Sequence, residues 1–282
     1  MKQKFVDYLL LMRLHKPVGI WLLLWPTLWG LWFAAGGMPP LKVLVVFVLG
    51  TVLMRSAGCV INDLADREFD PHVERTRDRP IAAGRVTPGE AIRLFVVLSL
   101  MAFGLVTQLN LATVLLSVPA VLIAASYPYA KRFHSIPQAH LGLAFSWGIP
   151  MAFTALGKPV PWELCGLLML ANVLWAIAYD TFYAMVDRDD DLRVGVRSSA
   201  ILFGRHDRAI TAALQAAVLV LLALAGQGLG PWYFAGLGVA AALAAWQQWL
   251  IKDRERARCF RAFLNNAWFG AAVFAGLALA LA

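Results

Sequence analysis

Two acidic segments of the sequence share a spacing that is suited to binding a cation. The first is DREFD, Asp66 to Asp70, and the second is DRDDD, Asp187 to Asp191, which begins 121 residues downstream. At about 100° per residue, aspartates four residues apart on a helix lie on one face. Like charges at this spacing repel each other, and negative charges near a helix C-terminus interact unfavourably with the helix dipole. Neither acidic segment is therefore explained by a contribution to the stability of the fold. A bound divalent cation would reverse the sign of both effects.

The side-chain chemistry favours magnesium bound to a diphosphate. Soft metals prefer Cys and His, and a dedicated calcium site needs a denser cage of oxygen atoms. Paired carboxylates that leave other coordination positions to water and phosphate oxygens suit Mg²⁺. A single acidic pair is usually a solvated surface, but two pairs at corresponding places favour a site. Nearby cationic side chains would neutralise the rest of a polyanion. They are Arg77, Arg79, Lys131, Arg132, Arg193 and Arg197.

The acidic segments interrupt a chain that is typical of a polytopic α-helical membrane protein. Hydrophobic residues make up 60% of it and charged residues 15%, with a mean hydropathy of +0.67. Apolar runs of about 20 residues without alternation favour helices over a barrel. We predict one all-α membrane domain over residues 1–282 with nine transmembrane helices. The predicted spans are 18–36, 41–62, 92–110, 112–128, 137–156, 163–185, 209–227, 231–250 and 262–281.

The positive charge is distributed as in a membrane protein and not as in a nucleic-acid-binding protein. The formal net charge is +8, but lysine and arginine alternate between connections, as positive-inside sorting requires. Only Lys42, Lys158 and Arg55 lie outside the N-terminal segment and connections 2/3, 4/5, 6/7 and 8/9. We therefore predict that these segments are cytoplasmic, that the C-terminus is periplasmic and that the protein lies in a bacterial inner membrane.

Four stretches of the sequence resemble the intramembrane aromatic prenyltransferases, and most closely those that act on 4-hydroxybenzoate in ubiquinone biosynthesis. They are LHKPVGIWLLLWPTLWG (14–30), GCVINDLADREFDPHVERTRDRPIAAG (58–84), YPYAKRFHSIPQAHLG (127–142) and YDTFYAMVDRDDDLRVGVRSSAILFG (179–204). The resemblance implies nine helices around a central cavity, with a cytoplasmic cap formed by connections 2/3 and 6/7. It also implies Mg²⁺-dependent transfer from an all-trans polyprenyl diphosphate to the ring carbon ortho to the hydroxyl of 4-hydroxybenzoate.

The resemblance assigns roles to individual residues. The metal ligands that it implies are Asp66, Asp70, Asp187 and Asp191, with Asn62 in the first motif. The diphosphate-binding segment corresponds to Tyr127, Lys131 and Arg132, and Arg193 and Arg197 would assist it. Asp180 matches an acidic residue before the second motif, and it would orient the phenol, accept a proton, or hold a water or a cation outside the direct coordination shell.

Arg55 is a cation inside a predicted span. On a helix it lies within about 20° of Asn62 and Asp66, and about 10 and 16 Å deeper in the membrane. A buried guanidinium needs an anionic partner, and an intramembrane ion pair or a snorkelling side chain is the structural alternative. Given the resemblance, we predict that Arg55 binds the carboxylate of the aromatic acid.

Two other functions remain open at this point. Inverted repeats and charged residues near membrane helices also occur in transporters, although an alternating-access site would lie near the bilayer midplane and not at one face. A prenyltransferase for another acceptor, such as dihydroxynaphthoate or haem, would share the metal site and differ only in the acceptor pocket.

Overall fold

The computed structural model describes residues 2–72, 74, 76–130, 136–195 and 198–282, and these residues form helices and connections without any strand. Two short 3₁₀ turns, Asp70–His72 and Gly204–His206, accompany the α-helices. The α-helices are α1 (Lys2–Leu11), α2 (Val18–Ala35), α3 (Leu41–Ala65), α4 (Pro88–Val106), α5 (Leu111–Ala130), α6 (Pro137–Ser146), α7 (Gly148–Ala155), α8 (Trp162–Val194), α9 (Ser199–Phe203), α10 (Asp207–Ala225), α11 (Pro231–Leu250) and α12 (Arg256–Ala280).

Seven helical segments in this part of the chain are long and apolar enough to cross a membrane. They comprise α2, α3, α4, α5, α8 and α12, together with the continuous segment Ser199–Ala225. The prediction of an all-helical polytopic membrane protein is therefore confirmed. The other two predicted spans correspond to α6 with α7 and to α11, which do not meet the same criteria of length and hydropathy.

The fifth predicted span is broken in its middle, so the prediction of one continuous helix there was wrong. α6 ends at Ser146 and α7 begins at Gly148. Pro150 lacks an N–H, and its ring would clash with the carbonyl four residues earlier, that of Ser146, if the helix continued. A Cβ atom at Gly148 would lie 2.8 Å from Thr27 Oγ1, so the break also brings α7 into close contact with α2.

Several helices extend beyond the predicted spans at the end that carries the charged residues. α3 reaches Ala65, α8 reaches Val194, and α12 begins at Arg256. Hydropathy marks only the apolar part of a helix, whereas the helix itself continues into polar surroundings. α4 begins four residues early because Thr87 and Glu90 form a reciprocal capping box.

Three apolar clusters hold the helices around an internal space. The largest joins α2, α8 and α12, where the Trp29 and Trp175 ring centroids lie 5.5 Å apart and those of Trp175 and Phe269 lie 5.4 Å apart. A second cluster packs α1 on α3 and α4, and a third lies beneath the C-terminal half of α8. The two acidic segments both line the space between these clusters.

Helix α11 is attached to its neighbours by small residues and buried amides. A Cβ atom at Gly236 would lie 2.7 Å from Gly276 Cα, so the α11 and α12 backbones are in close contact. Gln215 Nε2 donates to Gln247 Oε1 over 2.6 Å, and Gln247 Nε2 donates to Asn265 Oδ1 over 2.8 Å. These bonds join α10, α11 and α12 and satisfy polar groups that the bilayer could not.

Candidate active site

The helices line a partly open cavity of about 1650 Å³. Most of its wall is apolar, with residues such as Phe103, Val121 and Leu264, and one end of it is polar. All but two of the predicted site residues that the structure describes line this cavity, and the exceptions are Arg77 and Arg193. Those that line it are Arg55, Asn62, Asp66, Asp70, Arg79, Tyr127, Asp180, Asp187 and Asp191.

The first acidic segment is arranged differently from the prediction. Because α3 ends at Ala65, Asp66 is its C-cap and Asp70 belongs to a 3₁₀ turn, so the two carboxylates do not share one helix. The Asp70 N–H donates to Asp66 O over 2.9 Å, which keeps the residues about one turn apart. Asn62 Nδ2 donates to Asp66 Oδ2 over 3.1 Å and orients that carboxylate. Asp66 and Asp70 are therefore close together, as predicted, although they do not lie on one helix.

A charged cluster beside this segment includes two residues to which the sequence analysis gave no role, Arg13 and Asp63. Asp63, only 1% exposed, accepts hydrogen bonds from Arg13 and, over 3.1 Å, from Arg79 Nη1. Arg79 Nη1 also lies 2.9 Å from Asp70 Oδ2. All four side chains line the cavity. A signal for Asp63 was present, because positions 63, 66 and 70 have the spacing of one helical face.

The buried Asp70 carboxyl has a perturbed pKa. Burial raises the pKa of Asp70, the Arg79 guanidinium opposes this shift, and the neighbouring Asp63 and Asp66 raise the pKa further. The net direction is upward, so one guanidinium does not compensate fully for burial among like charges. An additional cation near Asp70 would favour the ionised carboxylate.

The second acidic segment lies on a continuous helix, as its spacing predicted. α8 runs without interruption to Val194, so Asp187 and Asp191 are one turn apart on it. Asp187 is buried, and Asp180 lies about two turns earlier in the same cavity wall. The helix therefore presents three carboxylates to one cavity.

Ion pairs anchor the charged end of α8. The fully buried Asp207 accepts from Arg254 Nη2 over 2.6 Å and lies 3.6 Å from Arg188 Nη1. Arg256 lies 3.2 Å from Asp189 on the outward face. The Arg188–Asp207 pair connects α8 with α10, the Arg254–Asp207 pair connects α10 with the segment before α12, and the exposed Arg256–Asp189 pair connects α8 with the start of α12.

Some of the predicted phosphate-binding cations do not point toward the cavity. The Arg193 side chain is 80% exposed and lies 3.8 Å from Asp190. Arg193 is about 200° around the helix from Asp191, so the two side chains leave α8 on nearly opposite faces. Arg77 is also exposed, next to Asp78. Three further predicted residues lie outside the described residues: Lys131, Arg132 and Arg197.

The carboxylates do not converge into a preformed metal cage. Among the residues that the structure describes, no group of three or more His, Cys, Asp or Glu side chains could hold a metal ion. The acidic side chains instead belong to two separate segments, one directly after α3 and one on α8, that line the same cavity. A cation bound between them would need ligands from another molecule.

Arg55 lies in the cavity wall without a carboxylate partner in the described part of the chain. Its Nη1 donates to Cys59 Sγ, and its Nε is buried and unpaired. The guanidinium packs on Gly19, where a Cβ atom would lie 2.3 Å from Arg55 Nη2. An intramembrane ion pair, the structural alternative for this residue, is therefore absent among these residues. A buried, incompletely bonded guanidinium is suited to receiving an anion from the cavity.

The comparisons with known proteins agree with this geometry. The sequence model of the UbiA prenyltransferase family matches residues 23–280. The chain is 59% identical over 280 residues to a 4-hydroxybenzoate octaprenyltransferase of Alkalilimnicola ehrlichii, covering 98% of this chain and 94% of that protein. It is 60% identical over 279 residues to the protein of the same name from Methylobacillus flagellatus, with coverages of 98% and 94%.

Solved structures share the same helical arrangement. The apo structure of a UbiA homolog from Aeropyrum pernix K1 superimposes with a TM-score of 0.80 at 27% identity, covering 93% of this chain and 97% of that one. A UbiA homolog from Archaeoglobus fulgidus bound to GPP and Mg²⁺ gives a TM-score of 0.69 at 20% identity, covering 96% and 99%. At that identity the second likeness shows the fold alone.

Proposed function

Because the chain belongs to the UbiA prenyltransferase family, we propose that it transfers a polyprenyl group from an all-trans polyprenyl diphosphate to 4-hydroxybenzoate. The carbon–oxygen bond to the diphosphate breaks, and a carbon–carbon bond forms at the ring position ortho to the hydroxyl. The products are 3-polyprenyl-4-hydroxybenzoate, diphosphate and a proton. The enzyme acts in ubiquinone biosynthesis as a single membrane domain.

One observation carries this proposal. Two acidic segments that are far apart in the sequence line the same cavity, and most of the rest of its wall is apolar. A polyprenyl diphosphate likewise has an apolar part and a charged part, because its chain dissolves only in lipid while its diphosphate needs cations and water. The relatives that carry the 4-hydroxybenzoate octaprenyltransferase name cover nearly the whole chain and support the choice of acceptor.

The four aspartates fit a magnesium ion that is shared with the substrate. Their donors are hard carboxylate oxygens in two pairs, which leaves coordination positions for diphosphate oxygens and water. The magnesium that accompanies GPP in the Archaeoglobus fulgidus homolog supports this assignment. When bound, Mg²⁺ would offset the negative charge that builds on the leaving diphosphate. The proposed ligands are Asp66, Asp70, Asp187 and Asp191.

Cationic and polar side chains around the aspartates would bind the remaining diphosphate oxygens. Arg79 and Arg13 are favoured by their position, because both line the cavity beside the first acidic segment. Tyr127 lines it from α5. Lys131, Arg132 and Arg197 remain proposed donors from the connecting segments, whereas the exposure of Arg193 makes it the weakest of the predicted set.

The apolar wall would exclude water from the reacting carbon. Loss of diphosphate produces an allylic cation that water would quench, so the chain and its reactive end need a dry environment. Phe95, Leu100 and Val118 line the cavity on the α4–α5 side, and Phe263 and Trp268 line it on the α12 side. A cytoplasmic cap formed by connections 2/3 and 6/7 would complete this exclusion.

The deeper polar residues would hold the aromatic acid. Arg55 would bind its carboxylate, since the guanidinium lies in the cavity wall with an unpaired Nε. Asp180 would orient the phenol or receive the proton that the ring loses after attack, directly or through a water. With the carboxylate held at Arg55, the ring lies below the diphosphate and next to the allylic carbon.

The proposal includes nine membrane passages and a bacterial inner-membrane location. Seven segments meet the criteria of length and hydropathy, and α6 with α7 and α11 supply two more. An odd number of passages places the termini on opposite sides of the membrane. The N-terminus and the active-site connections then lie in the cytoplasm and the C-terminus in the periplasm.

A reconstitution assay tests the function. Purified protein is incubated with Mg²⁺, prenyl diphosphates of several lengths and a panel of acceptors that includes dihydroxynaphthoate, and the products are identified by mass. We expect 3-polyprenyl-4-hydroxybenzoate with equimolar diphosphate release. Prenylation of a different acceptor only, or transport of substrate across vesicles without diphosphate release, would refute the proposal.

A further inference from the structure

Gln138, the second residue of α6, places an unpaired acceptor in the cavity wall. Its side chain is 3% exposed, and the residue lines the cavity. Its Oε1 atom is buried and accepts no hydrogen bond from the described residues. Buried acceptors are normally paired, and leaving one unpaired is unfavourable. Oε1 itself has almost no accessible surface, so a small shift of the Gln138 side chain is needed for a molecule bound in the cavity to supply the missing donor.

A directional chain of hydrogen bonds determines which amide atom remains unpaired. Thr181 Oγ1 lies 2.6 Å from Ile177 O, which can only accept, so the Thr181 hydroxyl donates there. Ser199 Oγ lies 2.8 Å from Thr181 Oγ1 and must therefore donate to it. Gln138 Nε2 then donates to Ser199 Oγ over 3.3 Å. In this chain the amide nitrogen of Gln138 is engaged and its oxygen remains an acceptor.

The same chain places Gln138 below the proposed diphosphate site. Thr181 precedes Asp187 by six residues, which is about 9 Å farther along α8 from the acidic end. Asp180, the neighbour of Thr181, lines the cavity at that level. Gln138 is joined to this level through Ser199, so its free acceptor belongs with the deeper residues and not with the metal ligands.

We infer that Gln138 Oε1 accepts a hydrogen bond from the phenol hydroxyl of the aromatic acceptor. This inference rests on the proposed function, in which Arg55 binds the carboxylate at the opposite end of the ring. Contacts at both ends of the ring define its orientation and present the carbon ortho to the hydroxyl. During attack the phenol oxygen gains positive character, so its hydrogen bond to a neutral amide oxygen strengthens in the transition state. Gln138 is thus a specificity-determining residue for hydroxylated acceptors.

Equilibrium binding tests the contact without requiring turnover. The affinities of 4-hydroxybenzoate and benzoate, which lacks the hydroxyl, are measured by calorimetry on the detergent-purified full chain. In the wild-type protein we expect 4-hydroxybenzoate to bind about tenfold more tightly than benzoate, because the hydroxyl forms one additional hydrogen bond. Gln138→Met retains the length of the side chain and should abolish this preference while leaving benzoate affinity unchanged. Gln227→Met, at an exposed position outside the cavity, should behave as wild type.

A second variant keeps the inference testable if Gln138→Met does not fold. Ser199→Ala retains Gln138 but removes the group that orients its amide, and it should lower the preference for 4-hydroxybenzoate. In turnover, Gln138→Met should lower kcat/KM for 4-hydroxybenzoate about tenfold or more and leave the KM for prenyl diphosphate unchanged. A wild-type binding preference in both variants, or a rise confined to the KM for prenyl diphosphate, would overturn the inference. If the wild-type protein prefers 4-hydroxybenzoate over benzoate as expected but forms no prenylated product, the result contradicts the proposed function and leaves the hydrogen bond from Gln138 standing.

Discussion

Arg79 Nη1 lies 2.9 Å from Asp70 Oδ2, so a guanidinium already pairs with one of the proposed metal ligands. The same nitrogen lies 3.1 Å from Asp63 Oδ1, and Arg13 pairs with the same oxygen. The four side chains form a continuous charged network at the edge of the cavity. Because a guanidinium has several donors, Arg79 can hold Asp70 and still donate to a diphosphate oxygen.

Arg79→Ala should impair use of the prenyl diphosphate. The change removes a cation from the cavity and leaves two buried carboxylates with less compensation, so we expect kcat/KM for the donor to fall about tenfold or more. Steady-state kinetics at saturating acceptor measure this effect. Arg77→Ala is the matched control, because Arg77 is exposed and outside the cavity lining. Equal kinetics for the two variants would exclude a diphosphate-binding role for Arg79.

Removal of the metal or of one proposed ligand should stop turnover. EDTA, Asp66→Ala and Asp191→Ala should each lower the rate by roughly a hundredfold or more, since the charge on the leaving group is no longer offset. Asp189→Ala is the control, because its side chain is 68% exposed and pairs with Arg256. Size-exclusion profiles and thermal unfolding in detergent should stay unchanged. Full activity in EDTA would defeat the magnesium assignment.

Arg55→Ala should act on the acceptor and not on the donor. Loss of the buried cation should lower kcat/KM for 4-hydroxybenzoate by roughly 2–4 kcal/mol in transition-state free energy, with little change in prenyl diphosphate affinity. Acceptors without a carboxylate should lose much less. A variant that keeps wild-type kcat/KM for 4-hydroxybenzoate, or that weakens only the donor, would show Arg55 to be structural or part of the donor site.

Gly19→Ala should reproduce part of the Arg55 defect without touching Arg55. The new Cβ would lie 2.3 Å from Arg55 Nη2, so the flexible guanidinium must shift while the backbone remains in place. We expect a selective fall of about tenfold in kcat/KM for 4-hydroxybenzoate, because a displaced guanidinium positions the acceptor less well. Gly50→Ala is the control, since it also lines the cavity but nothing lies within 4 Å of its Cβ position. Identical acceptor kinetics for the two alanine variants would show that the position of Arg55 is unimportant.

Single surface cysteines test the proposed orientation. Cys59, Cys165 and Cys259 are free but buried, so an added exposed cysteine should dominate labelling. In sealed cells, an impermeant reagent should label Met38→Cys, in the α2–α3 connection, and should not label Glu68→Cys, which follows α3. The opposite pattern would reverse the topology and move the active site to the periplasmic face.

Composition and local spacing were sufficient to predict the class of protein and to single out the two acidic segments, which the structure places in one cavity wall. Apolar run lengths indicate membrane helices because the bilayer selects for length and hydropathy. The aspartate spacing indicates two carboxylate pairs because helical geometry relates residues four apart. These properties are local, so they could be read without knowing how the helices pack. Hydropathy did not reveal the break between Ser146 and Gly148 or the end of α3 at Ala65, since both depend on backbone geometry.

Long-range contacts, in contrast, follow from packing alone. The Asp63 cluster joins residues from the α1–α2 connection, α3 and the α3–α4 connection, and the bonds of Gln138 join α6, α8 and α9. Helical phase places Arg193 outside the cavity although it lies only two residues from Asp191. Hydropathy and residue type do not specify which helices become neighbours or how each is rotated. Those two variables decide which charges share the cavity, because a side chain reaches only a few ångströms beyond its own helix.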